Sequence, residues 1–484
     1  MSAVQIIILA AGDGTRMKSD TPKVLHPLCG RPMIAYALDL AASAGVKQPI
    51  VILGKAAEQV KPILPKEARA VIQPKPLGTG DAVALAKRVL GGFSGDVVIL
   101  YADTPLVRRM TIQRLIETHR RAGATCTLLT THLADPTGYG RVIRDATGVV
   151  TGVVEEAEAN ATQRAIREVN VGPICMKAHA MFEALVQVKP ASATKEWYLT
   201  QAVGLLAQQP GTKFSTARLD NVMEALGVNS RVELAKAVGI IRQRIMDAHL
   251  QNGVTIVDPH ATYIDHGVTI GQDTVIHPGT VIESGVHIGK RCSIGPFARL
   301  RAGVAIGDET RVGNFAELVR TKVGARVRIH HVSYLGDATI EDEVNIGAGT
   351  ITANFDGKEK HATVIGKGAF IGSDTVLVSP VKVGPGAVTG AGSVIPKGHD
   401  VPPRGIVVGV PAHPLAGGSS KPAEKAADKR DGHNGVAKPA ARTPVRKAVV
   451  RRAAKPAPRR AARPPRRPGR SARRQAKRPV RRKR

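Results

Sequence analysis

Between Ile264 and Ile395 an aliphatic residue returns at nearly every sixth position. The beat runs Ile264, Ile270, Ile276, Ile282, Ile288, Ile294, Leu300, Ile306, Val312 and Leu318. It resets five residues later through Val323, Ile329 and Leu335, and resumes after an irregular stretch at Ile365, Ile371, Leu377 and Val383, with a last return at Ile395. A period of six fits neither a helix nor an alternating strand. It fits a parallel β-helix, in which each short strand turns one aliphatic side chain inward and then rounds a corner at a small residue, as in Ile270-Gly271 or Ile306-Gly307. Three hexads close one coil. Stacked coils satisfy each other's backbone hydrogen bonds at about 4.8 Å, and the interior ladder excludes water. Such an interior has little room for rings, which agrees with an aromatic content of 3%. A sandwich of short strands would not hold this register over so many turns.

The chain of 484 residues is long enough for two or three domains. Its net charge of +31 is unevenly placed: from Lys421 onward 25 Lys and Arg face 3 Asp and Glu, so the tail supplies +22 and the remainder is only mildly basic. Residues 416–484, opening on Gly417-Gly418-Ser419-Ser420, are expected to be a disordered Lys/Arg/Pro/Ala-rich tail that cannot bury a core. Cys29, Cys126, Cys175 and Cys292 are widely spaced with no C-x-x-C pair. That argues against a structural zinc or a disulfide framework and for a reducing, cytoplasmic setting. The apolar opening Val4–Ala11 lacks a basic flank and reads as a buried strand, not a targeting signal. No run approaches the ~18 apolar residues of a membrane span.

Residues 1–225 alternate strands (Val4–Leu9, Ile50–Leu53, Val97–Leu100) with helices (Met33–Ala44, Ala82–Leu90). The pattern implies an α/β Rossmann-like domain, a parallel sheet wrapped by helices with its cleft at the carboxyl ends of the strands. Residues 226–252 form a helical linker. Ser230-Arg231-Val232-Glu233 is a capping box, and Leu234, Val238, Ile241, Ile245 and Ala248 follow at helical spacing until Gly253. At 1.5 Å per residue the helix would span roughly 27 Å and act as a strut between the sheet domain and a β-helix at 253–415.

Directly after the first strand comes Leu9-Ala10-Ala11-Gly12-Asp13-Gly14-Thr15-Arg16-Met17, then Pro22-Lys23. A small-residue loop at a strand end lets the backbone approach a nucleotide, and Arg16 and Lys23 can neutralise phosphate charge. This stretch resembles the signature of the sugar-phosphate nucleotidyltransferases. Gln73 with Leu77-Gly78-Thr79-Gly80, Tyr101-Ala102-Asp103, Pro136–Arg141, Glu155, Asn170 and Gly227-Val228-Asn229 narrow the resemblance to bacterial N-acetylglucosamine-1-phosphate uridylyltransferases. The resemblance implies that Leu9, Ala10, Ala11, Gly12, Lys23, Gln73, Gly78 and Thr79 hold UTP. Tyr101, Ala102, Asp103, Gly140, Glu155, Asn170 and Asn229 would hold the amino-sugar phosphate, with Asp103 and Asn229 as hard oxygen ligands of Mg²⁺. Arg16 and Lys23 would act catalytically, by charge neutralisation. Ala102 stands where the family usually has Gly, and Gln201 where it usually has Asp.

Inside the periodic region two stretches are too polar to be ladder alone: Arg299-Leu300-Arg301 with Asn314-Phe315, and His330-His331-Val332-Ser333-Tyr334-Leu335-Gly336-Asp337. Here the chain resembles the acetyltransferase half of the bifunctional N-acetylglucosamine-1-phosphate uridylyltransferase/glucosamine-1-phosphate acetyltransferase family, whose scaffold is a left-handed parallel β-helix of hexapeptide repeats. The resemblance implies His331 as general base, Arg301, Tyr334 and Asn345 as ligands of glucosamine 1-phosphate, and Ala348, Asn354, Phe355, Ser373 and Ala391 along an acetyl-CoA groove. It also implies a homotrimer. A protonated amine cannot attack a thioester, and an imidazole can accept its proton at neutral pH. Of the two adjacent histidines, strand alternation should send only one to the substrate, and the spacing to Tyr334 selects His331. Val319 stands in place of a frequent Lys, Phe355 of Tyr, and Gly409 of Arg; Arg320 is the nearest substitute for the Lys, but on the opposite face.

Two other readings stay open on sequence alone. One keeps only the uridylyltransferase and reduces the β-helix to a trimerisation scaffold. The other takes the tail, with neither acid nor aromatic from Gly432 to Arg484, as a non-specific binder of nucleic acid or an anionic membrane surface.

Overall fold

The computed structural model describes residues 3–419, so the expectation for most of the basic tail lies outside the described residues. The amino-terminal sheet runs in the order Phe214–Arg218, Cys126–His132, Glu168–Lys177, Asp96–Tyr101, Val4–Ala10, Ile50–Leu53, Arg69–Ile72. Its central strands are apolar throughout because helices cover both faces: Ile6, Ile7 and Ile8 are all completely buried, packing alternately into two separate clusters. The sheet is mixed, which corrects the expectation of an all-parallel one. Glu168–Lys177 runs antiparallel to both neighbours. The segment leading to it is a β-ribbon, Gly140–Arg144 with Val150–Val154, and one helical turn, so no full crossover helix returns the chain to the parallel sense. Parallel register of Leu9 with Tyr101 sets the glycine-rich loop and Asp103 side by side beyond the strand ends.

The helix Arg231–Gln251 carries the expected capping box, with Ser230 accepting from the Glu233 amide and Glu233 reaching back to the Ser230 amide. It is no strut holding two bodies apart. Leu234, Ala237 and Ile241 pack with Met17, Leu28, Met33 and Leu106 of the sheet domain, while Met246 joins the core of the coils and Ala248 is exposed. Apolar residues on more than one side of the helix favour burial on both. Around it the two parts touch: the Cys29 carbonyl accepts from the His266 amide at 3.0 Å.

Among the described residues the coil strands form three sheets of ten, eight and seven strands, and each strand pairs in parallel with the strand three further on until the last two strands of the ten-stranded sheet. This is the parallel β-helix expected from the period. Ile276, Ile294, Leu300, Leu318, Ile329, Leu335, Ile365, Ile371 and Leu377 are all buried on the inside. The rings lie outside, as the narrow bore requires: Phe297, Phe315, Phe355 and Phe370 are each more than half exposed. Two inward places escaped the aliphatic pattern, Thr352 and Thr389. Each is tolerated because its hydroxyl is hydrogen-bonded to the backbone, Thr352 to Gly336 and Thr389 to the Gly372 amide. A last strand, His413–Ser419, pairs antiparallel with Gly405–Val408 and carries four residues past the boundary expected at 415. No helix among the described residues is long and apolar enough to cross a membrane.

The ladder makes a quantitative demand. Leu300→Ala, at a fully buried position, is expected to cost about 2–5 kcal/mol. The measurement is the midpoint of urea unfolding followed by circular dichroism. A shift no larger than that of a surface substitution would mean that the bore is not close-packed.

Candidate active sites

At the carboxyl edge of the sheet two hollows open side by side. The first, of about 450 Å³, is lined by Leu9, Ala10, Ala11, Gly12, Arg16, Lys23, Gln73, Gly78, Thr79, Tyr101, Asp103 and Asn229. The second, of about 330 Å³, is lined by Gly140, Glu155 and Asn170 and shares Arg16, Thr79, Tyr101, Asp103 and Asn229 with the first. Groups at the seam can therefore touch ligands in both. Ala102 is the exception among the residues expected here. Its methyl is buried in the sheet core and lines neither hollow, because Asp103 is the first residue past the strand to turn outward. Gln201 lies on the helix Leu199–Ala207 and also lines neither.

The seam is held by short, specific bonds. The Val228 amide donates to the Asp103 carbonyl at 2.8 Å and joins two distant segments. The capping carboxylate of Glu233 accepts from the Asn229 amide at 2.7 Å, so the start of the helix fixes Asn229. Arg231, the first residue of that helix, donates to the Met17 carbonyl at 3.3 Å and steadies the turn Thr15–Met17 that carries Arg16. Lys23 Nζ lies 2.6 Å from Asp103 Oδ2 and 3.2 Å from Asn229 Oδ1. An ammonium between these two oxygens marks a place suited to positive charge. A carboxylate and an amide oxygen also fit a hard divalent cation that keeps waters or phosphate oxygens as its other ligands. Among the described residues no group of three or more His, Cys, Asp or Glu could hold a metal, so this pair would rely on such outside ligands.

Behind the walls lie residues to which the motif reading gave no role. Asp81 accepts from Gln73 Nε2 at 2.8 Å, and the Gly78 carbonyl from the same nitrogen at 3.1 Å, which leaves Gln73 Oε1 as an acceptor. Gly78 sits at φ +117°, where a Cβ would collide with the Trp197 backbone, and this explains why the loop needs glycine there. Thr200 donates to Glu155 at 2.7 Å. Burial raises the Glu155 carboxyl above its ordinary range; the Thr200 bond works against that and the nearby Glu196 charge with it. Burial likewise raises the Tyr101 phenol, helped by Glu155 and Asp103. Sequence spacing could not give Asp81 or Thr200 a role, because each acts through a neighbour: Asp81 lies in no motif, and Thr200 stands in the family stretch Glu196–Gln201 beside the position compared.

On the β-helix, backbone bonds trace one corner from Asn314 through Val332 and Gly349 and, farther along, from Ala348 to Asp374 and from Ser373 to Gly392. His331, Ala348, Ser373 and Ala391 lie on this corner. Arg301, Asn354 and Phe355 lie at the far end of the adjoining face, after the strands Arg299–Leu300 and Ile351–Ala353, and Tyr334 starts the strand between the two corners. Asn345 lies in register with Arg328 on the other face of the corner. Arg301 is held by Glu317 at 3.2 Å and approaches Glu283 at 3.8 Å. Asn354 is buried and donates to Asp337 at 2.5 Å. Arg320 grips Asp337 with two bonds of 2.6 and 2.7 Å, which holds that carboxyl below its usual range, while Val319 is buried.

The histidine pair departs from strict alternation. Both rings are exposed, their centres are 5.8 Å apart, and both line one shallow hollow of about 260 Å³. Alternation lapses because His331 ends its strand and Val332 takes the left-handed conformation that turns the corner. What separates the two is Asn314, whose Oδ1 lies 2.8 Å from His331 Nδ1. A carbonyl oxygen facing Nδ1 favours the tautomer in which Nδ1 donates and Nε2 is the acceptor.

Comparison with known proteins agrees with both halves. Residues 6–172 match the MobA-like NTP transferase domain, and residues 267–302, 285–320 and 362–397 match the bacterial transferase hexapeptide repeat, the repeat of the left-handed parallel β-helix. The chain is 42% identical over 441 residues to the bifunctional protein GlmU of Shouchella clausii, covering 84% of this chain and 96% of that one. It is 43% identical over 409 residues to that of Pelotomaculum thermopropionicum, covering 78% and 89%, and 41% identical over 435 residues to that of Heliobacterium modesticaldum, covering 83% and 94%. With its nucleotidyltransferase sheet and its hexapeptide coils in one chain, the protein belongs to the bifunctional GlmU family.

Proposed function

We propose that the chain makes UDP-N-acetylglucosamine in two steps, transferring acetyl from acetyl-CoA to glucosamine 1-phosphate and then uridylyl from UTP to N-acetylglucosamine 1-phosphate, with pyrophosphate leaving. The observation that carries the reading is the seam of the two hollows, where Arg16, Asp103 and Asn229 face both. UTP fills the first hollow and the sugar phosphate the second, so the sugar phosphate oxygen attacks the α-phosphorus in line. This nucleophile is already ionised, and no general base is needed. Arg16 and Lys23 neutralise charge and fix the two phosphates against each other. Asp103 and Asn229 would hold a divalent cation, Mg²⁺ in this reading, which when bound would add to the neutralisation of phosphate charge. Gln73 Oε1 is placed to accept from a pyrimidine N–H, while Glu155 and Asn170 accept from or donate to the sugar.

For acetyl transfer His331 accepts the amine proton as the nitrogen attacks the thioester, and coenzyme A lies along the corner of Ala348, Ser373 and Ala391. Arg301, Tyr334, Asn345, Asn354 and Phe355 complete the substrate contacts. We divide the chain into a uridylyltransferase domain at 1–225, a linking helix at 226–252, an acetyltransferase β-helix at 253–415 and a tail. The exposed Phe297, Phe315 and Val332 follow the His331 corner, and this apolar strip favours assembly, with a homotrimer as the expected state. All four cysteines are free, which fits the reducing cytoplasm where these substrates are made.

Full-length protein given glucosamine 1-phosphate, acetyl-CoA and UTP should release coenzyme A and pyrophosphate together. Pyrophosphate from N-acetylglucosamine 1-phosphate alone, with no coenzyme A released, would leave the β-helix as a scaffold; neither product would defeat the whole reading. The tail adds a separate expectation. Without aromatics it cannot stack bases, so its attraction to nucleic acid or acidic vesicles is phosphate neutralisation alone. Deleting residues 421–484 should leave both catalytic constants unchanged and abolish a DNA or vesicle binding that weakens steeply with salt. Binding that survives the deletion, or ignores salt, would rule this out.

A further inference from the structure

The second hollow takes Gly140 from the start of one ribbon strand, Glu155 from just past the end of the other, and Asn170 from the long antiparallel strand beside them. One buried side chain stands next to all three segments. Arg141 lies in register with Val154 on one side and Val169 on the other, so each of its register partners directly precedes a residue of the hollow. It is 1% exposed and lines neither hollow. Its guanidinium donates to the Tyr139 carbonyl, to Glu156 Oε2 at 2.6 Å, and at 3.5 Å to the Arg164 carbonyl at the end of the short helix Ala161–Arg164. Glu156 Oε2 also accepts from the Gly138 amide at 3.2 Å, which ties the loop before Gly140 to the turn after Glu155. The bond from Arg141 holds the Glu156 carboxyl below its ordinary range, so the pair is ionised.

We infer that Arg141 is a positioning residue for the amino-sugar phosphate: with Glu156 it clamps the loop Thr137–Gly140 against the turn that carries Glu155, and so sets the spacing of Gly140, Glu155 and Asn170. The inference rests on the uridylyl-transfer reading for its ligand. As a device for stability alone the residue is a poor choice. Taking a guanidinium out of water is expensive, one carboxylate repays it only in good geometry, and the Arg141 Nε finds no partner among the described residues. An aliphatic side chain would fill the same space beside Val154 and Val169 without that loss. What the guanidinium adds is direction, since its planar fork fixes several oxygens at once. Direction matters here because the tolerance is small: a Cβ at Gly140 would lie 2.9 Å from the Val153 side chain and 3.4 Å from Glu155 Oε2. The nucleotide hollow is independent of the clamp. Among the described residues that line it, none is hydrogen-bonded to the Arg141 or Glu156 side chain.

In full-length Glu156→Ala protein, a change at a partly exposed side chain, KM for N-acetylglucosamine 1-phosphate should rise about tenfold, the size of one lost polar contact, with KM for UTP unchanged. Glu156→Gln should recover most of that loss, because its amide oxygen can still accept from Arg141 and Gly138. Arg141→Lys should resemble Glu156→Ala, since an ammonium has no planar fork; if it fails to fold, the two Glu156 variants carry the test. A sugar-phosphate KM unchanged in Glu156→Ala, a rise shared equally by UTP, or Glu156→Gln no better than Glu156→Ala would each overturn the inference. Should the unsubstituted protein release no pyrophosphate, the functional reading fails separately, and titration calorimetry with N-acetylglucosamine 1-phosphate becomes the measurement. Binding that Glu156→Ala weakens and Glu156→Gln restores would uphold the clamp. Equal binding in all three proteins, or binding in none, would overturn it.

Discussion

Asp103→Ala is expected to lower UTP-dependent pyrophosphate release by at least about 10³-fold, the upper range for one lost electrostatic contact in a closed site, and to leave acetyl transfer intact. Two losses combine. Among the described residues the substitution removes the one carboxylate shared by the two hollows, and with it the charged group that would hold a divalent cation. It also frees Lys23, whose ammonium lies 2.6 Å from that carboxylate, to settle on phosphate in the ground state. Asp103→Asn keeps the oxygen and drops the charge, so its activity should fall between the two. Asn229→Ala should be milder than Asp103→Ala, because a neutral amide contributes less to a cation than a carboxylate does. The reaction is followed as pyrophosphate release under saturating Mg²⁺. Full activity of Asp103→Ala under that condition would remove Asp103 from the site, whatever its position. The acetyl-transfer arm reports on folding, since the coils do not use this residue.

The coils were the most legible part of the chain, because one physical demand, an aliphatic side chain inward on each short strand, repeats without needing distant partners. The pattern failed where a second device met the same demand: Thr352 and Thr389 sit inside because the backbone satisfies their hydroxyls. The sheet domain was legible strand by strand but not in direction, since Glu168–Lys177 is as apolar as a parallel strand would be and only its connection reveals its sense. For the candidate nucleotide site, motif order was enough to gather residues from Leu9 to Asn229. It could not show that Ala102 turns into the core, nor that Asp81 and Glu233 hold the groups that do face the hollows. On the β-helix the limit was geometric. A motif in sequence order does not say which corner of a three-sided coil each residue occupies, and Arg301 and Asn354 proved to lie one face away from His331.

For acetyl transfer the expected result is a loss of about 10² to 10⁴ in kcat for His331→Ala, the range for a missing general base. His330→Ala should behave differently, with kcat nearly kept and its effect confined to substrate affinity. Strand alternation would have made this distinction by pointing one ring away, but both rings face the same hollow. The distinction rests instead on Asn314. Its Oδ1, 2.8 Å from His331 Nδ1, favours the tautomer that leaves Nε2 as the acceptor, whereas no described side chain hydrogen-bonds His330 in this way. Asn314→Ala should therefore lower kcat less than His331→Ala does, since the base survives while its tautomer and orientation are no longer fixed. The same change should leave uridylyl transfer untouched, because Asn314 is in the coils. Equal losses of kcat from His330→Ala and His331→Ala would mean that either ring can take the proton. A kcat unaffected by Asn314→Ala would mean that the bond to Nδ1 does not select the base.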